Sequence, residues 1–330
     1  MASDAAAGSE IPTLFTPMNP ADPAHPEFLP DPALSRDEME ALQRGLGETA
    51  TFEDDFSFDP GTVCVHETVQ TTLDVPNSEP NSGQPDDHSS QREDHSSQRE
   101  DHSSQREDHS SQREDHSSQP DDHSSQPEDS PLVAGVDQAF LDDRAVGAVV
   151  VLQGDEVVER AHAVTDLAIP YIPGLLAFRE GEPILAALSK LSTVPDLLML
   201  DGSGRIHFRQ AGIATHVGVL LDVPAVGVAK SLLCGEPAES VEGLPEGTRV
   251  PIHADRRVEA PENALIGYAY QSRQFDSPNR HINPLYVSPG HRVGPDTAVD
   301  LVAGCCAGYK LPEPTRLADS YADEVKAEHR

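Results

Sequence analysis

The sequence predicts an α/β fold in which a mixed β-sheet is flanked by helices, and three observations support this prediction. Apolar runs at Leu132–Val136, Ala145–Leu152 and Glu156–Val164 are separated by short turns, which is typical of an antiparallel meander of strands. Helix-like and strand-like patterns then alternate along the chain, as they do where helices cover a sheet. The region before residue 131 is acidic and poor in apolar residues, so we expect it to lie outside the sheet.

The alternating region supplies the other elements of the predicted sheet. Ile184–Leu191 has helical periodicity, with Pro183 in its first turn, where proline is tolerated. The strand Leu197–Leu200, the helix Gln210–Leu221 and the strand Ala225–Val228 follow. Later elements are predicted as strands at Ala264–Tyr270 and Leu285–Val287 and a helix at Thr297–Ala307. This order fits a ribonuclease H-like arrangement, in which acids from the first strand, the first helix and the fourth strand meet at one edge.

The N-terminal region is predicted to contain one helix and little other fixed structure. Residues 1–34 are rich in proline, alanine and aspartate. A helix is expected over 35–47, because Ser35 and Glu38 have the spacing of a capping box.

Residues 48–130 are interpreted as a long disordered acidic insert that contains six tandem heptads at 87–128. No heptad position is apolar, so the repeat lacks the seam of a coiled coil and has nothing to offset the entropy of ordering. Each heptad contains one histidine. The repeat is therefore read as a solvated linker, with weak transition-metal binding as the alternative.

Charge and composition limit the environment of the protein. The net charge is −34, with 57 acidic residues against 23 Lys and Arg, of which four are Lys. A nucleic-acid enzyme is expected to be basic, but a screening length of roughly 3 Å at about 1 M salt would suppress repulsion from DNA. We therefore predict a haloarchaeal source, with an acidic disordered tail on an ordinary protein as the alternative. Without a membrane-spanning run or a secretion signal, and with four cysteines in no metal-finger spacing, we expect a cytoplasmic protein with reduced thiols.

Three acids, Asp137, Glu180 and Asp201, are the candidate catalytic residues. Asp137 and Asp201 each follow an apolar run that is predicted to be a buried strand. Carboxylates that converge at such a cleft repel one another unless a divalent cation lies between them. The pattern therefore predicts metal-dependent cleavage of a phosphodiester.

Longer motifs resemble a known family. They are Val133–Phe140, Pro170–Glu180, Asp201–Gly204, Gly227–Ser231, Asn283–Val287 with Gly290–Arg292, and Leu311–Arg316. Together they resemble the endonuclease V family, the deoxyinosine-directed repair nucleases. The resemblance implies a catalytic domain at 131–320 and a C-terminal tail at 321–330, and it does not account for the acidic repeat.

The resemblance implies roles for the residues around the scissile phosphate. Asp137 and Asp201 would bind Mg²⁺ directly, with Mn²⁺ as a substitute, and Glu180 would assist, so all three count as metal and catalytic residues. Lys230 would stabilise charge on the phosphate. His291 would contact a metal-bound water or carry a proton. Whether one or two metal ions bind stays open.

The resemblance also implies how damaged DNA is recognised. The rigid loop of Pro170, Tyr171, Ile172 and Pro173 would enter the base stack as a wedge while one nucleotide rotates out. The flipped base would occupy a lesion pocket formed by Gly174, Leu176, Gly202, Gly212, Ile213 and Leu233. His207 and Arg209 would touch DNA or order the nearby loop. Ser203 and Phe208 depart from residues common in the family, which puts lesion preference in question.

The expected activity is Mg²⁺-dependent cleavage of the second phosphodiester bond 3′ to deoxyinosine in DNA, leaving 3′-hydroxyl and 5′-phosphate ends. One alternative is the same chemistry on inosine in RNA. Another is a lesion-binding module without turnover, which the three intact acids disfavour. We expect a monomer with no membrane association.

Overall fold

The computed structural model describes residues 22–66, 130–167, 175–275 and 281–329. All of them belong to one structural unit, and the second unit, 71–124, lies outside the described residues. The heptad repeat, the predicted wedge and residues 1–21 also lie outside them. Among the described helices, none combines the length and the apolar character that a membrane crossing requires.

The described residues form a nine-stranded sheet with the order β3-β2-β1-β4-β5-β9-β8-β7-β6. The strands are β1 Leu132–Phe140, β2 Arg144–Gln153, β3 Glu156–Asp166, β4 Leu197–Asp201, β5 Ala225–Ala229, β6 Glu236–Pro237, β7 Arg249–His253, β8 Leu265–Tyr270 and β9 Leu285–His291. Strands β1, β4 and β5 are mutually parallel, whereas β2, β3 and β9 pair antiparallel to their neighbours. The predicted mixed sheet, with its initial antiparallel meander, is confirmed.

In the described part of the chain, five α-helices accompany this sheet. They are α1 Arg36–Thr49, α2 Leu176–Leu188, α3 Ile213–Leu221, α4 Pro295–Gly304 and α5 Glu313–Glu328. Alternate residues of the central strands face two apolar layers, as the period of two in a strand requires. In β1, Ala134 and Val136 pack in the layer with α2 and α3, whereas Val133 packs in the layer with α4 and α5.

The position of α5 on the sheet depends on one glycine. A Cβ atom at Gly135 would lie 1.9 Å from the backbone oxygen of Pro314, so only glycine allows this approach. Gly135 is in the middle of β1, and Pro314 is in the first turn of α5. The close approach therefore holds the start of α5 against the strand that carries Asp137.

Several element boundaries differ from the predictions. Strand β1 extends to Phe140, so Asp137 lies within the strand and not at its end. Helix α2 begins at Leu176, with Pro183 in its interior. Helix α5 was not predicted and occupies much of the expected tail at 321–330. The apolar runs used for prediction stop at the first polar residue, but backbone hydrogen bonding continues beyond it.

The N-terminal region is more ordered than its composition suggested. Residues 22–34 and 48–66 are described, and the buried Phe28, Val63 and Val65 anchor them in the apolar layers or beside α4. Backbone hydrogen bonds from Arg292 to Thr51 and from Asp55 to Arg292 add further attachment. The prediction that these stretches lack fixed structure is wrong, because a few apolar side chains and a neighbouring strand end suffice to order them.

Candidate active site

Two neighbouring strands bring the first pair of acids together. Strands β1 and β4 are parallel, and Val136 lies opposite Leu200 in the register. The next residues, Asp137 and Asp201, therefore lie side by side at the same edge of the sheet. Asp137 is buried, with 7% of its surface exposed, and one of its carboxylate oxygens accepts the Gln138 backbone N–H at 2.7 Å.

A third carboxylate, from Asp319, completes the cluster. One oxygen each of Asp137, Asp201 and Asp319 lies within 4.8 Å of the others. Asp319 was missed in the sequence, although it follows the motif Leu311–Arg316 by three residues. The signal was the helical continuation of that motif, in which Leu317 and Ala318 are buried and Asp319 is the next polar position.

The start of α5 is fixed by a buried ion pair. Glu313 is fully buried, and both of its carboxylate oxygens accept hydrogen bonds from Arg316, at 2.7 and 2.6 Å. This bidentate pair lies within the first turn of α5, and the approach of Pro314 to Gly135 sets the helix on β1. Asp319 is thereby carried to the carboxyl end of β4.

The acids resist ionisation in the absence of a cation. Burial, and next the charge of Asp201, raise the pKa of Asp137 to about 8. Burial likewise raises the pKa of Asp201, despite the opposing hydrogen bond from Lys230. A divalent cation would favour the ionised forms of both groups. Three hard oxygen donors, two of them desolvated, are a donor set that suits Mg²⁺ or Mn²⁺.

Lys230 lies against this cluster. Its Nζ atom is 2.6 Å from Asp201 Oδ2 and 3.3 Å from Asp319 Oδ1. Burial alone would lower the pKa of Lys230, but the hydrogen bond and the negative charges of Asp201 and Asp137 raise it. The ammonium is therefore charged, and it lies where it can face a phosphate as well as the carboxylates.

Glu180 approaches the same cleft from α2. It is buried, and burial raises its pKa to about 7, against the lowering effects of a Gln138 hydrogen bond and the Arg179 charge. It lines the same cavity as Asp137 and Asp201 but lies outside the tight trio. This position fits a role in which Glu180 assists the metal site better than one in which Glu180 binds the metal ion directly together with the three aspartates.

His291 does not join the acids. It pairs with Ala225 at the start of β5, whereas Lys230 follows the end of that strand, and five residues of strand correspond to roughly 16 Å. Its Nδ1 accepts the Thr51 N–H at 3.2 Å, and its Nε2 donates to Asp222 at 3.0 Å. The predicted role beside the metal is wrong, because β9 runs antiparallel to β5 and ends at the opposite edge.

A cavity of about 490 Å³ opens beside the acids. Its lining includes four of the predicted pocket residues: Gly202, Gly212, Ile213 and Leu233. Gly202 has φ +147°, and a Cβ there would lie 2.4 Å from the Ile213 side chain, so glycine is required. Gly174 lies outside the described residues, and so does the side chain of Leu176.

The two predicted DNA contacts differ in position. His207 lines the cavity and is buried. The Arg209 side chain instead faces α1, where one of its nitrogens lies 2.6 Å from Glu40. The predicted wedge, Pro170, Tyr171, Ile172 and Pro173, lies in the undescribed stretch 168–174.

Fold and site together define the class of this protein. A mixed sheet that presents three clustered carboxylates and a lysine next to a base-sized cavity is typical of a nuclease that uses bound metal. The chain belongs to the Endonuclease V family, whose sequence profile matches residues 114–320.

Individual relatives agree with this assignment. Endonuclease V of Haloarcula marismortui is 52% identical over 309 residues, covering 92% of this chain and 97% of the relative. The Halobacterium salinarum protein is 48% identical over 91% of this chain and 98% of the relative. These are haloarchaeal proteins, in line with the haloarchaeal source predicted from the acidic, lysine-poor composition.

Solved structures support the same fold. Endonuclease V from Streptomyces avermitilis superposes with a TM-score of 0.60 at 26% identity, covering 89% of this chain and 94% of that one. The catalytic domain of human Endonuclease V gives a TM-score of 0.54 at 33% identity, over 62% of this chain and 87% of that one.

Proposed function

We propose that this protein is a DNA repair endonuclease that recognises deaminated bases, chiefly deoxyinosine, and cleaves the second phosphodiester bond 3′ to the lesion. Its products would carry 3′-hydroxyl and 5′-phosphate ends. The observation that carries the proposal is the trio Asp137, Asp201 and Asp319 beside a cavity large enough for a base. Membership of the Endonuclease V family supports it independently.

The chemistry rests on the carboxylate cluster. Asp137, Asp201 and Asp319 would hold Mg²⁺, or Mn²⁺ in its place, and Glu180 would assist from α2. When bound, the metal supplies charge that polarises a phosphoryl oxygen and activates water. The pKa of Glu180, raised to about 7 by burial, suits a group that accepts and releases a proton near neutral pH.

Lys230 supplies the positive charge that the acids lack. Its side chain is half exposed, so the ammonium can reach an incoming phosphate while it stays within hydrogen-bond distance of Asp201. Stabilisation of charge that develops on phosphate oxygens is the role we propose for it. The neighbouring aspartates hold it in place before substrate arrives.

The cavity would read the flipped base through main-chain groups. Gly202 and Gly212 leave the backbone accessible, and Ile213 and Leu233 provide apolar contacts. Hypoxanthine presents an acceptor at O6 and a donor at N1, which backbone N–H and C=O groups can distinguish from adenine. Tyr171 and its flanking prolines remain the proposed wedge.

The test is nicking of a duplex that contains one deoxyinosine, in high KCl with Mg²⁺ or Mn²⁺. We expect a single cut on the lesion strand at the second bond, and none in an undamaged duplex. Asp137→Ala and Asp201→Ala should each abolish cutting yet retain binding, whereas Asp143→Asn, an exposed acid, should behave as wild type. An intact inosine duplex after incubation with wild type would refute the proposal. A matched inosine RNA in parallel separates the DNA activity from the RNA alternative.

A further inference from the structure

One wall of the cavity is an irregular loop between β4 and α3, residues 202–212, here called the pocket loop. Ser203, His207, Phe208 and Ala211 of this loop line the cavity together with its two end glycines. Hydrogen bonds within the loop join His207 to Arg205, Gln210 to His207 and Gly212 to Gly204, and Gln210 has φ +54°. Around Arg209 the loop also packs against groups on its outer side.

Helix α1 packs against the outer side of the pocket loop and binds the guanidinium of Arg209. Glu40 Oε2 lies 2.6 Å from one Arg209 nitrogen, and Gln43 Oε1 accepts a hydrogen bond from Arg209 at 3.1 Å. Only 13% of the Arg209 side chain is exposed, and Gln43 is buried. A charge pair so enclosed is screened by salt much less than a surface pair.

The backbones of helix and loop also touch. A Cβ at Gly47 of α1 would lie 2.5 Å from the Arg209 backbone oxygen. Gly47 lies in a helix, where alanine is otherwise favoured over glycine by about 1 kcal/mol. The close approach of the Arg209 carbonyl explains why glycine is present at this position. The contact fixes that carbonyl, which belongs to the residue after Phe208.

A second support reaches the loop from Glu259. The Glu259 N–H donates to the Phe208 oxygen at 2.7 Å, and Gln210 Nε2 donates to the Glu259 oxygen at 2.7 Å. The Glu259 carboxylate in turn accepts hydrogen bonds from Arg44 of α1, at 3.0 and 3.2 Å. Phe208 is thus held from both sides by groups that α1 organises.

We propose that α1 is a positioning element for the base pocket: Glu40, Gln43 and Gly47 hold Arg209, and through it Phe208 and His207, in the geometry that selects the flipped base. The inference rests on the proposed function and deepens it by naming specificity determinants outside the cavity. Arg209 acts here as a positioning residue that contacts α1 and is not part of the cavity lining. The acids of the metal cluster do not lie in the pocket loop, so the chemical step should be largely spared.

The decisive comparison is Gly47→Ala against Gly45→Ala in the full-length protein. Both changes add one methyl group to the same helix, but at Gly45 the new Cβ meets only the Phe28 ring, at 3.1 Å. We expect Gly47→Ala to raise KM for the inosine duplex about tenfold with kcat within about twofold. We expect its preference for inosine over uracil to fall several-fold, and Gly45→Ala to resemble wild type.

A second pair of variants tests the charge contact. Glu40→Gln removes the charge that faces Arg209, and Arg36→Ala removes the exposed partner on the other side of Glu40, which lies 3.0 Å away. Only Glu40→Gln should change the KM and the lesion preference. Arg209→Lys, which keeps the charge but loses the fork geometry, should lie between wild type and Arg209→Ala.

Amide hydrogen exchange of 203–212 gives a readout that needs no substrate. Gly47→Ala should accelerate exchange in this segment and Gly45→Ala should not. Equal exchange in the two variants would overturn the inference, and so would faster exchange with an unchanged lesion preference. Failure of wild type to nick inosine DNA would instead refute the proposed function, while the exchange result would still decide whether α1 holds the loop.

Discussion

Neutralising one carboxylate tests whether the acidic cluster is built for a cation. Asp137→Asn keeps the shape of the side chain and removes its charge. In the metal-free protein, burial and the charge of Asp201 raise the pKa of Asp137 from 3.8, its value without the fold, to about 8. The unfolded chain therefore binds fewer protons in this window, and the free energy of unfolding falls as the pH rises from about 4 to 8.

The size of the effect follows from the pKa. One pKa unit is about 1.4 kcal/mol, so a rise from 3.8 to about 8 corresponds to roughly 6 kcal/mol of destabilisation once the pH exceeds the folded-state pKa. Asp201 shares this cost as the neighbouring charge, and the asparagine amide must still be buried. We expect the variant to recover about 2 kcal/mol, which for this size is roughly 5 °C in Tm.

The assay is thermal unfolding at constant high KCl, with EDTA or with Mg²⁺, at pH 5 and pH 8. In EDTA at pH 8, Asp137→Asn should melt above wild type, and the difference should shrink at pH 5. Mg²⁺ at about one hundred times its Kd should stabilise wild type by about 2.7 kcal/mol and leave the variant nearly unchanged. Asp143→Asn is the matched control, because that side chain is 91% exposed.

Two results would refute this reasoning. If Asp137→Asn melted below wild type in EDTA at pH 8, the Asp137 carboxylate would be stabilising the fold without a divalent cation, with Lys230 as its charge partner. If Mg²⁺ stabilised wild type and variant equally, the ion would be binding elsewhere. Either outcome would remove the main support for a metal site at this edge of the sheet.

Three further predictions follow from the packing around the site. Asp319→Asn should lower nicking at least about 100-fold, because it removes a proposed metal ligand, while binding of inosine DNA persists. The control Asp323→Asn changes an exposed residue of the same helix and should leave nicking unchanged. Equal nicking by the two variants would exclude Asp319 from the site. Gly135→Ala should lower stability by about 3 kcal/mol or more in chemical denaturation, because its Cβ would overlap the Pro314 oxygen; an unchanged midpoint would show that α5 adjusts freely. His291→Ala should lower Tm but leave the pH profile of kcat unchanged, since its hydrogen bonds go to Thr51 and Asp222; an altered profile would return His291 to catalysis.

The local pattern of apolar and polar residues was sufficient to predict the sheet and two of the three clustered acids. The apolar runs of β1 and β4 are hydrophobic enough to be buried wherever they lie, and parallel neighbours bring Asp137 and Asp201 to the same edge. Lys230 follows from the same logic, because it comes directly after β5, which lies next to β4 in the sheet.

The sequence pattern was insufficient where the position of a site residue depended on the direction of a strand or on packing between segments that are distant in the sequence. His291 ends strand β9, much as Lys230 comes at the end of β5. An antiparallel strand ends at the other edge of the sheet, and a short run of apolar residues does not reveal the direction of its strand. Asp319 sits on a helix whose periodicity is visible in the sequence, yet nothing local relates that helix to a strand almost two hundred positions earlier.

The sequence by itself determined the family, the central sheet and the acidic composition, because each depends on residue types and near-neighbour spacing. Tertiary structure alone decided that Asp319 completes the carboxylate cluster, that His291 lies far from it, and that Arg209 is held by α1. Those outcomes depend on close approaches such as Pro314 to Gly135 and Arg209 to Gly47, which arise only when distant segments are packed to full density.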